Sequence, residues 1–416
     1  MSLTTPLRPL FALLLASTLL ACSSDAAPAD DAPAPGTAEG AEAASGRLGD
    51  GFVVWESNRS GDWRIWTKRL DGGGLTQLSP DEPGRQHCCA HIAPDGSGVV
   101  YLSRQVPSDR YPEVEVAGPL RLIPLAEDGP GAQRVLVPAA RTYGWGNRAV
   151  VWRSPGELIF VDGDGRTQLL DVASGVSTPL TTEPRPELGW LVNAPLTHAT
   201  HAAPVFAPYD RQRRAVVARP ELGGCEPYFS HDGRFGVFMP AGGGPIRRID
   251  LATREVATLL PMSDPRVSGQ GDLYFPMPSR DGRLLAFGAS RGEHHHFSAN
   301  YDVFVAPTDP ETLELLEAPV RLTDHPATDR YPDVWLAPLP LGRHVGEVPF
   351  TVRFPGQAPE GTAEWSYGDG AAEVVASGLH TYERPGVYQV TARWRGSGRR
   401  AASSARPSGC RRGGRA

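Results

Sequence analysis

Several features that would define a common class of enzyme are missing from this sequence. We expect no G-x-S-x-G nucleophile elbow, and the sequence holds no G-x-x-x-x-G-K-[ST] loop for nucleotide phosphates. After residue 22 no segment is apolar enough to span a bilayer. The formal net charge is −6, and residues 395–416 concentrate seven Arg without any acid. The rest of the chain therefore has no excess of positive charge that could bind nucleic acid, and we expect no nucleic-acid partner.

Long, clean stretches for helices are also scarce. The 416 residues include Gly 47 and Pro 41, which interrupt most segments. A hydrophobic fraction of 40% still supplies a sizeable core, and the length favours two or three structural units. We therefore predict an all-β protein made of short strands and many turns.

The first 22 residues have the pattern of a targeting segment. Arg8 precedes the apolar run LFALLLASTLLA, which is too short to span a bilayer and ends at Cys22. The sequence LLAC resembles the bacterial lipobox, which implies a lipoprotein signal peptide over 1–22 and lipid attachment at Cys22. An ordinary signal peptide is the alternative. Ser23 after the cysteine implies an outer-membrane destination in the bacterial envelope.

Residues 23–47 are rich in Ala, Pro, Asp, Glu and Gly and contain no aromatic residue. Such a segment cannot bury enough apolar surface to offset its ordering entropy. We predict a disordered tether between the lipid anchor and the folded part.

Short β-branched and aromatic runs repeat from residue 48 to residue 338. Asp-Gly turns followed by an alternating strand occur in APDGSGVVYLS, SHDGRFGVFM and SRDGRLLAFGAS. This pattern resembles the TolB-like β-propellers of bacterial envelopes. The resemblance implies a propeller of six blades over 48–338, with seven blades as the alternative. A large β-sandwich is the other fold considered.

A second unit is predicted over residues 345–396. Its segments WSYGDG and HTYERPGVYQVTARW closely resemble the PKD domain, an immunoglobulin-like β-sandwich. The resemblance implies a core tryptophan, a sharp glycine turn and a final strand. The residues of the PKD motif in this sequence are Trp365, Gly368, Asp369, Gly370, His380, Tyr382, Gly386 and Tyr388.

The tail, residues 397–416, interrupts this second unit. It contains Arg, Gly, Ala and Ser without acids, and we predict it to be disordered. A basic arm for anionic lipid or polymer and the frameshifted end of a gene remain the two interpretations.

Most of the eleven histidines fall in segments that we predict to connect strands. QHCCAH and ELGGCEP are predicted as links between blades, and THATHAA and GEHHHFSANYD as loops within blades. All would then decorate one face of the propeller. The candidate ligand or metal residues on that face are His87, His91, His198, His201, His294 and His296.

Chemistry at that face stays open at this stage. Adjacent residues of an extended segment point to opposite sides, so at most His294 and His296 of the His-His-His run can face one ion together. Some TolB-like propellers are oligogalacturonate lyases that bind a divalent metal, and Gln86, His87 and His91 resemble that chemistry only loosely. No cofactor is expected, and a divalent metal is the alternative. The repeated DRYP, residues 109–112 and 329–332, is predicted as a loop element.

The cysteines have a structural interpretation as well. An envelope protein is exposed to oxidising conditions, in which thiols tend to pair. We predict a disulfide from Cys88 or Cys89 to Cys225, with a thiolate metal site as the alternative.

These features favour a lipid-anchored envelope protein without catalytic activity. Its propeller would bind a ligand or partner, and its PKD-like unit would attach to protein or polysaccharide. The alternative is a metal-assisted polysaccharide lyase or hydrolase that uses the histidine-rich face.

Overall fold

A computed structural model describes most of the chain after residue 47. The described residues are 48, 50–106, 117–126, 129–142, 148–183, 190–201, 206–217, 224–240, 242–292, 294–295, 298–337, 345–347, 350–354, 363–375, 378–384, 386–388, 390–394, 402–404 and 408–411. The predicted signal peptide, the predicted tether and Cys22 lie outside them.

Apart from one 3-10 turn at Pro265–Val267, the regular elements of these residues are β-strands. The predicted all-β class is therefore confirmed. No helix of the described part of the chain is long and apolar enough to cross a membrane.

Twenty-five strands precede residue 337 and form antiparallel sheets. The first sheet has the order β25-β1-β2-β3, the next is a nine-stranded sheet of β4 to β12, and three further sheets each run in sequence order through four strands. The strands are β1 Gly51–Ser60, β2 Asp62–Arg69, β3 Thr76–Gln77, β4 Gln86–Ile92, β5 Gly98–Arg104, β6 Gly118–Ala126, β7 Gly129–Pro130, β8 Arg134–Arg141, β9 Val150–Ser154, β10 Glu157–Asp162, β11 Thr167–Asp171, β12 Ser177–Pro179, β13 Leu191–Val192, β14 His198–Thr200, β15 Ala207–Asp210, β16 Ala215–Val216, β17 Cys225–Phe229, β18 Phe235–Met239, β19 Ile246–Asp250, β20 Val256–Leu260, β21 Asp272–Pro278, β22 Leu284–Ser290, β23 Tyr301–Pro307, β24 Val320–Arg321 and β25 Asp329–Leu336.

The nine-stranded sheet consists of two successive sets. Strands β4, β5, β6 and β8 form one set, β9 to β12 form the other, and β8 meets β10 over two residue pairs. Strand β7 is a two-residue addition that pairs with β6. With the other sheets, the remaining described strands fall into six groups of four, the smaller of the two predicted blade numbers.

The last strand of this region closes the ring. Strand β25 pairs antiparallel with β1, with Val334 opposite Val53. The first group thus combines strands from both ends of the region, which joins the two ends of a β-propeller. A sandwich needs no such closure, and the propeller interpretation is the one that holds.

The predicted Asp-Gly hairpins join the first and second strands of three groups. Gly96, Gly233 and Gly282 have φ of 76°, 72° and 70°. This is the left-handed region that glycine enters without steric cost, and the prediction for these three turns is confirmed.

A fourth hairpin of the same kind has a different sequence. The Oδ1 atom of Asn193 accepts a hydrogen bond from the His198 N–H at 3.0 Å, as the Oγ atom of Ser230 does from the Phe235 N–H at 2.9 Å. Leu196, with φ of 56°, stands where Gly233 stands in the other turn. We call the end of the propeller that carries these hairpins the hairpin end, and the opposite end the link end.

Nine short strands follow in the C-terminal region. They form a pair β27-β30, a sheet β29-β28-β32-β33 and a sheet β26-β34-β31. The strands are β26 Val345–Glu347, β27 Phe350–Phe354, β28 Ala363–Ser366, β29 Ala372–Val375, β30 Gly378–Tyr382, β31 Val387–Tyr388, β32 Thr391–Trp394, β33 Ala402–Ser404 and β34 Ser408–Arg411.

The tail differs from its predicted disorder. Strand β33 pairs with β32, and β34 pairs with both β26 and β31. Backbone pairing requires no β-branched side chain, so the composition of the tail was a poor guide here.

Candidate functional site

The first strand of each group lies nearest the propeller axis, and four of these innermost strands share a backbone irregularity. In β4, β17, β21 and β25 one non-glycine residue has a positive φ, and the pairing register with the neighbouring strand shifts around it. These residues are Cys89 (59°), Glu226 (54°), Phe275 (57°) and Tyr331 (50°). Proline follows three of them, at 227, 276 and 332. Left-handed backbone at non-glycine residues is costly and tends to mark functional positions.

Arg148 connects two of these bulges. Its Nη2 atom donates to the carbonyl oxygens of Phe275 and Pro332, each at 3.2 Å, and its side chain is almost fully buried. The guanidinium also lies 5.2 Å from the ring centroid of Tyr228. A single cation thus joins three innermost strands through neutral acceptors and an aromatic ring.

A buried ion pair lies beside these bulges. Glu56 Oε1 and Arg330 Nε are 2.6 Å apart, and neither side chain is exposed. The Oε2 atom of Glu56 accepts from the Cys89 N–H at 3.2 Å. Tyr331 donates its hydroxyl to Glu226 Oε1 at 2.8 Å. These charges and hydroxyls are satisfied by each other, so we assign them to the framework of the axis.

A pocket opens at the hairpin end of the axis. All six innermost strands or the turns that follow them contribute to its wall. The lining combines polar and aromatic side chains, among them His91, Trp152, Tyr228, His231, Arg280, Asp333 and Trp335. A concave site of this kind, shared by every blade, is the usual place for a ligand.

His91 and Asp333 form the polar floor of this pocket. Nδ1 of His91 lies 3.3 Å from Oδ2 of Asp333, and the imidazole stacks on Tyr228 with centroids 5.5 Å apart. Asp333 also accepts the Ile92 N–H at 2.9 Å. Burial lowers the pKa of His91, although Asp333 opposes the shift. His91 is therefore neutral at neutral pH.

Arg280 supplies positive charge to the wall. Burial lowers the pKa of Arg280 to about 10, so the guanidinium remains protonated at neutral pH. Its Nη1 atom is buried and has no hydrogen-bond partner among the described residues. Burial, with a contribution from the charge of Arg280, holds the pKa of His231 well below its usual range. The Nε2 atom of His231 is likewise buried without a described partner.

The structure places the first predicted histidines in a strand rather than in a link. His87 and His91 both belong to β4 and are buried. His87 Nε2 lies 3.2 Å from Glu82 Oε2, and burial lowers the pKa of His87 to about 4. Gln86 bonds to the Trp63 N–H and to Asp62. The sequence predicted a link here because the bulge at Cys89 interrupts the alternation of side chains by which a strand is recognised.

His198 and His201 do not share one face. His198 follows the Asn193 hairpin and is half-buried, whereas His201 follows the other end of β14 and packs edge-on against Trp190 at 4.6 Å. The expectation of a single histidine-rich face is therefore wrong. The expectation is wrong because the Asn193 turn lacks the Asp-Gly sequence that marks the other hairpins. The sequence therefore predicted no hairpin before His198.

His294 belongs to a different cluster, at the link end of β21 and β22. Its ring stacks on Tyr274 at 4.1 Å, and its Nδ1 lies 2.7 Å from the Tyr301 hydroxyl and 3.8 Å from Asp272 Oδ2. Burial lowers the pKa of His294 to about 4 and raises that of Asp272 to about 6. His295 is exposed, and His296 lies outside the described residues.

The sequence GASRG at 288–292, beside this cluster, has the G-x-S-x-G pattern that was expected to be absent. Ser290 ends β22, and its hydroxyl donates to the Gly292 carbonyl at 3.1 Å. Among residues 291–292, 294–295 and 298–300, which are the described part of the connection to β23, there is no helix. The arrangement is thus not a nucleophile elbow, because an elbow exposes the serine at a strand-to-helix turn.

The described histidines do not assemble a metal site. Among the residues that the structure describes, one group of three potential ligands has all its donor atoms within 4.8 Å of one another, and it consists of Glu56, Cys88 and Cys89. Glu56 is already paired with Arg330.

The cysteine prediction requires a correction. The structure carries Cys88, Cys89 and Cys225 as buried thiols, so the bridge to Cys225 is not formed in it. Cys88 and Cys89 pack in one hydrophobic cluster and Cys225 in another. The Sγ atoms of Cys88 and Cys89 are 2.9 Å apart.

The DRYP motif at 329–332 is also not a loop. It forms the buried first half of β25, with Asp329 bound to Arg59 at 2.5 Å. The copy at 109–112 lies outside the described residues.

The PKD-like motif residues pack together in the C-terminal region. Trp365 and Tyr382 are buried, and Gly368 and Gly370 have φ of 79° and 101°, as a sharp turn requires. His380 Nε2 lies 2.6 Å from Asp369 Oδ2. Further stacking joins Tyr367 to His380 and Tyr382 to Tyr388, and Gly386 approaches the Tyr388 ring.

Comparisons with known proteins give structural likenesses. No protein-family profile matches the sequence, and no curated protein does either. TolB from Acinetobacter baumannii is 14% identical and has a TM-score of 0.47, with 68% of this chain and 66% of that chain covered. A TolB from Agrobacterium tumefaciens is 17% identical with a TM-score of 0.42, over 68% of this chain and 90% of that one.

An oligogalacturonate lyase in complex with manganese is a more distant likeness. It is 16% identical with a TM-score of 0.37, over 62% of this chain and 71% of that chain. These likenesses concern the TolB-like propeller fold, and we take no activity or ligand from them.

Proposed function

We propose that this protein is a non-catalytic binding protein of the bacterial envelope, whose axial pocket takes an acidic group of a ligand. The observation that carries the proposal is Arg280, whose protonated guanidinium has a buried Nη1 without a described partner in the pocket wall. A buried donor on a cation is costly to leave unmade, and a ligand carboxylate supplies the acceptor.

The other walls fit the rest of such a ligand. Trp152, Tyr228 and Trp335 present aromatic surface in the same pocket. Aromatic rings bind apolar or sugar faces, and neutral His91 and His231 can donate or accept hydrogen bonds there. We therefore favour a carboxylate carried on a ring, as in an acidic sugar.

Anchoring completes the proposal. The lipobox-like LLAC predicts a lipid on Cys22. Two membrane signals at the same terminus, such as two acyl chains, are enough for stable attachment to a membrane. The tether would then hold the propeller off the membrane, and the PKD-like region would add attachment to a protein or polysaccharide.

Binding of galacturonate oligomers to the soluble form, measured by calorimetry, tests the pocket. Fully methyl-esterified oligomers of equal length are the matched neutral probe. We expect the acid to bind at least ten-fold more tightly, because the ester removes the charge that Arg280 requires. Equal affinity for acid and ester would contradict the role of charge.

The same protein sample distinguishes a binding protein from the alternative, a lyase. A lyase would release unsaturated products that absorb in the ultraviolet, and it would require bound divalent metal. We expect neither a rise in absorbance nor stoichiometric metal.

A further inference from the structure

Two cysteines adjacent in sequence lie side by side in the buried first strand of the second group. The Sγ atoms of Cys88 and Cys89 are 2.9 Å apart, and neither residue is exposed. Thiols in ordinary van der Waals contact stand further apart, so the side chains are already turned toward each other. Cys89 is the left-handed residue of the β4 bulge.

We propose that Cys88 and Cys89 bond to each other, forming a disulfide ring within strand β4, and that Cys225 remains a thiol. The bond joins the two Sγ atoms through an eight-membered ring that includes the Cys88–Cys89 peptide. It replaces the bridge to Cys225 that spacing along the sequence suggested.

The reaction is a thiol–disulfide exchange with a small disulfide or a disulfide oxidoreductase as oxidant. One thiolate attacks the oxidant's disulfide and releases the first thiol. The second cysteine then attacks the mixed disulfide and releases the second thiol. Two electrons pass to the oxidant, and the two protons of the cysteines end on the released thiols.

The surroundings favour this ring over a metal site. Glu56, the third possible ligand, is bound to Arg330 and to the Cys89 N–H. A disulfide is neutral and suits a dry interior.

The ring also has a predictable weakness. Consecutive Cα atoms are about 3.8 Å apart across a trans peptide, below the usual disulfide range of about 4.4–6.8 Å. Such a bond is strained and is more easily reduced than an ordinary structural disulfide. Burial in β4 protects it from reductants in the folded protein.

Peptide mapping distinguishes the possible pairings. Trypsin cuts after Arg85 and Arg104, which releases Cys88 and Cys89 in one peptide, 86–104. Cys225 is released in peptide 215–234, because Pro220 blocks cleavage at Arg219. The reduced, unfolded full-length chain is refolded in a glutathione redox buffer, unfolded again in acid, alkylated without reductant and digested.

The expected result is peptide 86–104 without alkyl groups and two hydrogens lighter than its reduced form, together with alkylated 215–234. Prior reduction should add two alkyl groups to 86–104. Alkylation of both Cys88 and Cys89 in the refolded wild type overturns the proposal, and so does a peptide that joins 86–104 to 215–234. The Cys225→Ser variant is the matched control and should form the same ring to the same extent.

Discussion

The carboxylate of Glu56 lies 2.6 Å from the guanidinium Nε of Arg330, and both side chains are withdrawn from solvent. Glu56 belongs to β1 and Arg330 to β25, the two strands that close the ring. The chain ends of the propeller are therefore joined by a buried ion pair as well as by backbone hydrogen bonds. The Arg330 guanidinium further lies 4.1 Å from the Trp63 ring centroid, which holds its orientation.

Breaking this pair should destabilise the closure strongly. Glu56→Gln leaves the charge of Arg330 buried without its counterion, and we expect a loss of about 3–5 kcal/mol in the free energy of unfolding. Urea denaturation monitored by tryptophan fluorescence measures it. The double variant Glu56→Gln with Arg330→Met removes both charges and should recover part of the loss. A single variant as stable as the wild type would show that the pair does not hold the ring.

Adding one methyl group at Gly233, where the hairpins of two neighbouring blades meet, should lower the free energy of unfolding. A Cβ on Gly233 would lie 2.4 Å from Pro195 Cγ, whereas a Cβ on Gly175 would meet nothing within 4 Å. Both glycines have a φ near 70°. Gly175→Ala should therefore cost about 1–3 kcal/mol for backbone strain alone. Gly233→Ala should cost about 1–3 kcal/mol more, because neighbouring hairpins collide. Equal losses of unfolding free energy would contradict this contact.

The His294 cluster predicts a dependence of stability on pH. Asp272 has a folded pKa of about 6, above its ordinary value, so the folded state binds more protons and stability falls as pH rises from about 4 to 6. His294 has a folded pKa of about 4, below its ordinary value, and its contribution rises between about 4 and 6.5. The two trends oppose each other in the wild type.

Asp272→Asn removes one of these opposing trends. The unfolding free energy of the variant, relative to the wild type, should therefore increase by about 1–2 kcal/mol from pH 4 to pH 6.5, after allowance for solvent screening. Denaturation at several pH values measures the difference. A constant difference across this range would show that Asp272 titrates at its ordinary value.

Lipid attachment at Cys22 is tested by replacing it with Ser in the expressed chain. Membrane association should disappear, because the variant has no cysteine at the lipobox-like position to carry the lipid. Fractionation of washed membranes, followed by detection of the propeller, reads the outcome. Cys410→Ser, outside the lipobox-like segment, is the control and should remain with the membrane. Retention of the Cys22→Ser variant on membranes would contradict lipid anchoring there.

The fold was largely predictable because its signals are local. Asp-Gly turns and alternating strands marked three hairpins, and the structure shows the positive φ at Gly96, Gly233 and Gly282. The Asn193 hairpin escaped because Leu196 takes the glycine's place and side-chain bonds from Asn193 support the turn instead. Sequence spacing alone does not reveal that substitution.

The candidate site was much less predictable. Seven histidines within a few segments suggested one face, but strand direction decides the end at which a residue lies. His91 lies at the hairpin end because it is near the end of β4 that leads into the hairpin, whereas His87 is near the start of the strand. Arg280 and His231 occupy the second position of their Ser-x-Asp-Gly turns, a variable place that carries no motif. A search for the x-Pro step before those turns would have found three of the four bulges.

The central claim concerns Arg280, and the matched pair Arg280→Gln and Arg283→Gln tests it most directly. Arg283 belongs to the same hairpin but is already bound to Asp281 at 2.5 Å. Calorimetric titration with galacturonate oligomers should show that Arg280→Gln weakens binding about 10–100-fold, the loss of one charge-assisted hydrogen bond of about 1.5–3 kcal/mol. Arg283→Gln should bind within about two-fold of the wild type, because its charge is engaged within the turn. Wild-type affinity in Arg280→Gln, or equal weakening in both variants, would contradict the assignment of the axial pocket as an acid-binding site.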